Sequence, residues 1–140
     1  MRNVILPTSA SILCRNKLRV GELTPGDVVS GYDWQHRRVV MVTILEVNAV
    51  PPMLKVTIPI SHFKTLNLVH DTVVLTSSGE RAVKRGGHTY TGYCQENPKL
   101  LVSRLIENVL ETRDEIETVE LVWDHPEYIW TDGILVGTNK

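Results

Sequence analysis

The stretch Leu66–Ala82, LNLVHDTVVLTSSGERA, is the one on which the fold is decided. Leu66, Leu68, Val69, Val73, Val74 and Leu75, interleaved with threonine, suit a half-buried pleated surface, so Leu66–Thr76 reads as a strand. Ser77-Ser78-Gly79 then supplies turn chemistry. The one imidazole in the stretch, His70, is either a catalyst displaced along a strand or a plain half-exposed histidine.

Working outward, further strands are expected over Ser11–Leu13, Val28–Tyr32, Arg38–Asn48, Leu54–Ile60 and Thr118–Trp123, all rich in Val, Ile and Thr. Thr24-Pro25-Gly26-Asp27, Pro51-Pro52 and Gly86-Gly87 punctuate them as turns. A different periodicity begins after Asn97. There Asn97 suits a helix cap and Pro98 the first helical position, and Val102, Leu105, Ile106, Val109 and Leu110 recur at helical spacing. One helix over about Pro98–Asp114 is therefore expected, with Arg104, Glu107, Glu111 and Arg113 on its solvated face. Arg85–Gln95 reads as a loop.

The bulk properties narrow the function classes. At 140 residues the chain is one domain's worth, and with 42% hydrophobic against 22% charged residues it can bury a core. A net charge of −1 offers no field for nucleic acid or an anionic membrane. Cys14 and Cys94 stand far apart, and no His/Cys cluster has metal spacing, so no metal, disulfide scaffold or cofactor is expected. With no apolar run near the roughly 20 residues of a membrane helix and no signal-peptide pattern, a cytoplasmic setting is expected.

Three blocks, in order, carry a resemblance. The first runs from Ala10-Ser11-Ile12-Leu13 through Leu18–Leu23 to Thr24-Pro25-Gly26-Asp27-Val28-Val29; the second is Val74-Leu75-Thr76 with Gly79 and Ala82; the third is Val119–Val136, with Tyr128, Asp132, Gly133, Ile134, Leu135 and Val136. Together they resemble the Hint superfamily, the self-processing domains of inteins, hedgehog proteins and bacterial intein-like proteins. The resemblance implies an all-β, pseudo-twofold horseshoe over residues 1–140 whose two ends meet at adjacent strands, with the helix in the connection before the last strands. It also implies a reaction: an opening Cys or Ser attacks the preceding carbonyl, a T-x-x-H histidine activates that peptide, and a terminal His-Asn pair cleaves the far end.

Carried over position by position, each station holds another residue. Ile5 falls at the nucleophile, Val69 at the motif's threonine, Thr72 at its histidine, and Gly137-Thr138 where His-Asn is required. Slipped registers offer Ser9 or Ser11 as nucleophile, His70 two residues early, His125 one residue off a further acid/base position, and Asn139 one residue late. Met1, four residues ahead of Ile5, leaves nothing of consequence to splice. The sequence therefore points to a stand-alone Hint-like domain that has lost self-processing and whose role is binding or assembly.

Trp34, Arg37 and Arg38 form the one locally basic, aromatic stretch, and Trp123, Tyr128 and Trp130 are expected beside it as exposed aromatics. The expected partner is another protein, not a membrane or a nucleic acid. Two alternatives stay open: active acyl-shift self-cleavage through Ser9 or Ser11, and an unrelated small β-barrel binding module.

Overall fold

A computed structural model describes residues 1–14, 17–61, 64–70, 72–76, 79–82, 90–97, 100–106, 110–131 and 134–137. Among these the chain forms β1 (Arg2–Pro7), β2 (Ser11–Cys14), β3 (Lys17–Arg19), β4 (Val28–Asp33), β5 (Arg38–Thr43), β6 (Glu46–Ser61) and β7 (Lys64–Val69). It continues with β8 (Val73–Thr76), β9 (Gly79–Ala82), β10 (Tyr90–Asn97), β11 (Leu100–Ile106), β12 (Leu110–Trp123), β13 (Tyr128–Thr131) and β14 (Ile134–Gly137). A single 3-10 turn, Val20–Glu22, interrupts them. None of the described residues forms a helix long and apolar enough to cross a membrane.

The strands make two antiparallel sheets. One has the order β1-β12-β6-β7; the other runs β11-β10-β8-β14-β13-β4-β2-β3, with β5 on β4 and β9 on β8. Side-chain alternation along the second sheet divides its residues between two apolar clusters. Val29, Val42, Val74, Ile129 and Val136 join Val4, Leu6, Leu68, Leu121 and Trp123 in the main core. The residues between them, Tyr32, Leu75, Tyr128, Trp130 and Leu135, form a second cluster flanked by Trp34 and Val39. The middle of this sheet is thus buried on both faces, which is why its strands read as nearly continuous apolar runs.

The Thr24-Pro25-Gly26-Asp27 turn forms as expected. Pro25 presets one φ, Gly26 takes φ +95°, and the Asp27 carboxylate accepts from the Thr24 N–H at 2.8 Å and from Lys17 Nζ at 2.7 Å. Beside it the Ile44 N–H donates to the Asp27 carbonyl and the Gly26 N–H to the Ile44 carbonyl, each at 2.8 Å, which fixes where β5 ends. The expected strand over Arg38–Asn48 is therefore broken at Ile44-Leu45.

Several expectations give way. In place of a helix over Pro98–Asp114, Leu100–Ile106 pairs antiparallel with β10, from Asn97↔Leu100 to Tyr90↔Ile106, and Leu110 onward belongs to β12. The apolar spacing there fits both periods, and a neighbouring strand supplying a complete ladder overrides helix propensity. For the same reason Tyr90–Gln95 is strand and not loop; Arg85–Thr89 lies outside the described residues, as do Gly86-Gly87 and Ser77-Ser78. Pro51-Pro52 does not turn the chain. Both prolines lie within β6, where the register to β12 shifts between Thr118↔Val50 and Ile116↔Met53, a bulge that demands no N–H from them.

The Leu66–Thr76 strand also divides. β7 stops at Val69, and β8 starts at Val73; the Thr72 N–H turns back to the Val69 carbonyl at 3.0 Å. His70 is thus half-buried in a turn and not on a strand face, so a sliding register cannot carry it to the position of Thr72.

Candidate functional site

The described ends of the chain converge as the sequence implied. β1 pairs with β12 and also touches β14, the last described strand. β14 in turn pairs with β8, with Gly137 opposite Val73, the residue after Thr72. The strands that carry Ile5 and Gly137, and the residue next to Thr72, therefore meet along one seam.

Within β1, Val4 and Leu6 face the core, while Ile5 is half-buried on the other face, in register with Glu120. The Glu120 carboxylate is committed: it accepts from Asn48 Nδ2 and Asn3 Nδ2, each at 3.0 Å, and these bonds hold it below the usual carboxylate range. Val69 and Thr72 are fully buried, and Thr72 Oγ1 has no hydrogen-bond partner among the described residues. A Cβ at Gly137 would lie 3.1 and 3.2 Å from the Tyr128 ring. Tyr128 thus fills the space that a side chain at the penultimate station would need. Its hydroxyl donates to Glu80 at 2.7 Å, and burial first, then that bond and the charges of Glu80 and Glu127, push the phenol far above its ordinary range.

The slipped candidates among the described residues have other partners. The Arg19 guanidinium takes up both the Ser9 carbonyl and Ser11 Oγ, at 3.0 and 3.1 Å. Cys14 packs partly buried against the main core. The His70 N–H donates to the Leu54 carbonyl. Thr138 and Asn139 lie outside the described residues.

Among the described residues, several titratable groups gather elsewhere, around Asp33 at the end of β4. Its side chain is 0% exposed. One oxygen accepts the His36 backbone N–H at 3.2 Å; the other lies 2.7 Å from His36 Nδ1. The same oxygen faces His125 Nε2 at 3.5 Å and Arg38 Nε at 3.8 Å. Burial alone would raise this carboxyl, but the His36 side-chain and backbone bonds, the His36 charge and His125 outweigh it and leave the group below its ordinary 3.8. With its proton donors already seated on that carboxylate, the cluster is not arranged as a metal site, and none occurs among the described residues.

Gly31 makes this convergence sterically feasible. A Cβ there would meet Val42 Cγ2, the Tyr128 carbonyl at 2.9 Å and Pro126 Cγ at 3.1 Å, so the β12–β13 connection can pack directly on β4 and bring His125 to Asp33. The Trp34 N–H donates to Glu127 Oε2 at 3.1 Å, tying the β4–β5 turn to the same connection. At the turn's tip Arg37 adopts φ +54° and lays its guanidinium 3.6 Å from the Trp34 ring centroid.

Of the residues expected from sequence, Trp34, Arg37, Arg38 and His125 come together here. Trp123, Tyr128 and Trp130 are buried and leave the expected exposed patch, because alternation along β12 and β13 turns them into the two cores. Asp33 and Glu127 were missed. The signal for Asp33 was its place three residues before His36, the spacing at which an aspartate closes a turn on its own backbone. Nothing local announced Glu127.

Because Asp33's pKa is depressed in the folded state, its contribution to stability is present above the unfolded value near 3.8 and disappears as pH falls through the lower folded value. Urea unfolding of the chain and of Asp33→Asn should accordingly differ at pH 7 and converge below pH of about 4. A gap that stays constant over that range would show that the carboxylate's ionisation is not what stabilises the turn.

The chain matches the DnaB intein from Synechocystis sp. with a TM-score of 0.76 at 13% identity, over 97% of this chain and 99% of that one. It matches the DnaX mini intein from Spirulina platensis at 0.75 and 15% identity, over 96% and 100%. The gp41-1 intein gives 0.73 and 15% identity, over 96% and 97%. No family model matches the sequence, and no curated protein does. The fold is the Hint fold of the inteins. At these identities the likeness is one of architecture, shared almost end to end.

Proposed function

We propose that this Hint-fold domain does not process itself and acts by recognition, through the face built from the β4–β5 turn and the β12–β13 connection. The observation that carries the reading is the occupancy of the seam. Ile5, Val69, Thr72 and Gly137 stand at the stations where bond-breaking would require a nucleophile, a threonine and imidazoles, and the Tyr128 ring fills the space above Gly137. An alkyl group cannot attack a carbonyl, and a single acid/base group alone is typically worth about 10²- to 10⁴-fold in rate. The recognition half of the reading rests on Trp34, Arg37 and Arg38, which are partly or fully exposed while the remaining tryptophans are buried. Aromatic and arginine side chains held in place are the usual anchors of protein interfaces.

The test is a chain with a reporter protein fused ahead of Ile5 and another after Lys140, incubated with and without thiol. The expected result is one intact band throughout. A shortened or ligated product would overturn the reading, and replacing Ser9, Ser11 and Cys14 in turn would then locate the nucleophile.

A further inference from the structure

β5 pairs with β4 alone among the described residues, so it is an edge strand, and every other residue along it turns its N–H and C=O away from the sheet. Its outward residue Met41 is 70% exposed, and Val39 and Val40 are half-buried. Edges are commonly blunted by proline or by a bulge, and β5 has neither: its register to β4 is unbroken from Val28↔Thr43 to Asp33↔Arg38. At its start stands the Trp34–Arg37 stack.

That stack is costly to build. A non-glycine residue in the left-handed region is strained, and glycine would turn the chain there without that strain. Arginine at this position lays its flat face on Trp34 and leaves the edge of the guanidinium for a planar oxyanion. Asp33 and Glu127 hold the turn rigid from beneath, so little freedom remains to be lost on binding.

From this we infer that β5 receives the extended C-terminal segment of a partner protein, added as an antiparallel strand, with its terminal carboxylate on Arg37. The inference rests on the recognition reading above. Antiparallel addition runs the incoming chain from Thr43 towards Arg38, which delivers its C-terminus to the Trp34–Arg37 stack. Charge selects a lone carboxylate over a phosphate chain. Arg38 lies 3.8 Å from the Asp33 carboxylate and Glu127 already accepts the Trp34 N–H, so Arg37 is left as one forked donor, enough for a single carboxylate and too little for a phosphate chain.

The probe is an acetylated hexapeptide of alternating threonine and valine with a free C-terminus, titrated into the isotopically labelled chain. Amide shifts are expected over Val39–Thr43 together with the Trp34 indole signal. The C-terminally amidated peptide and the Arg37→Ala chain should each bind at least tenfold more weakly. Arg37→Lys, which keeps the charge and loses the fork, should fall between them, and it serves if the alanine variant disturbs the turn. Unmoved β5 amides would overturn the inference, as would equal binding of acid and amide. So would a dimer of this chain paired through β5 by light scattering and concentration-dependent shifts, since the edge would then belong to a second copy. A processed band in the reporter assay would instead sink the reading beneath it, whereas silent β5 signals with no processing sink the docking alone.

Discussion

Replacing Trp123 with alanine is expected to lower the stability of the fold by about 3–5 kcal/mol, a large share of the 5–15 kcal/mol typical of a domain this size. The indole is 0% exposed in the main core, against β1 on one side and the β12–β13 connection on the other. Its Nε1–H donates to the Pro126 carbonyl at 2.6 Å. Truncation therefore opens a cavity and leaves a buried acceptor unpaired, and the two costs add. Trp123→Phe separates them: it keeps most of the apolar volume and loses the bond, for an expected cost of about 1–3 kcal/mol. Urea midpoints by far-UV circular dichroism give both numbers. A change below about 1 kcal/mol in the alanine variant would mean that this ring does not join the two sheets.

Introducing histidine at Gly137, the step that would begin to rebuild the terminal station, is expected to destabilise the domain by at least about 1–3 kcal/mol. The first added atom, Cβ, already lies 3.1 Å from Tyr128 Cε1, and the rest of an imidazole must go further in the same crowded space. Tyr128 cannot yield easily, since it is buried in the second cluster and bonded to Glu80. The combination with Tyr128→Ala should relieve the clash, so that the double variant is less destabilised than the sum of the singles by about 0.5–3 kcal/mol. Additive losses would mean that the two residues do not compete for one volume. The reading that the seam has no room for an imidazole at position 137 would then fail.

This pair of residues also shows how far the sequence reached. The order of the blocks led us to expect the penultimate station at Gly137. That the Tyr128 ring lies against Gly137 was not legible, because strand register decides which side chains of β13 and β14 meet, and no local pattern encodes it. Asp33 and His125 are a similar case. His125 was singled out in the sequence and Asp33 was not, and their approach depends on Gly31 letting Pro126 close onto β4. Trp34 and Glu127, 93 positions apart, share a bond only because β4 and β13 are neighbours in the sheet.

By itself the sequence determined the short β-rich segments, the Pro-Gly turn that ends in Asp27, and an order of blocks matching the Hint architecture. These are local preferences and their succession, which act before any long-range contact forms. Tertiary structure alone decided that Leu100–Ile106 is a strand and not part of a helix, that Trp123, Tyr128 and Trp130 are core, and that one buried carboxylate gathers two imidazoles from distant turns. Each of those outcomes turns on which partner is close enough to complete a ladder, fill a volume or share a proton, and proximity is a property of the folded chain.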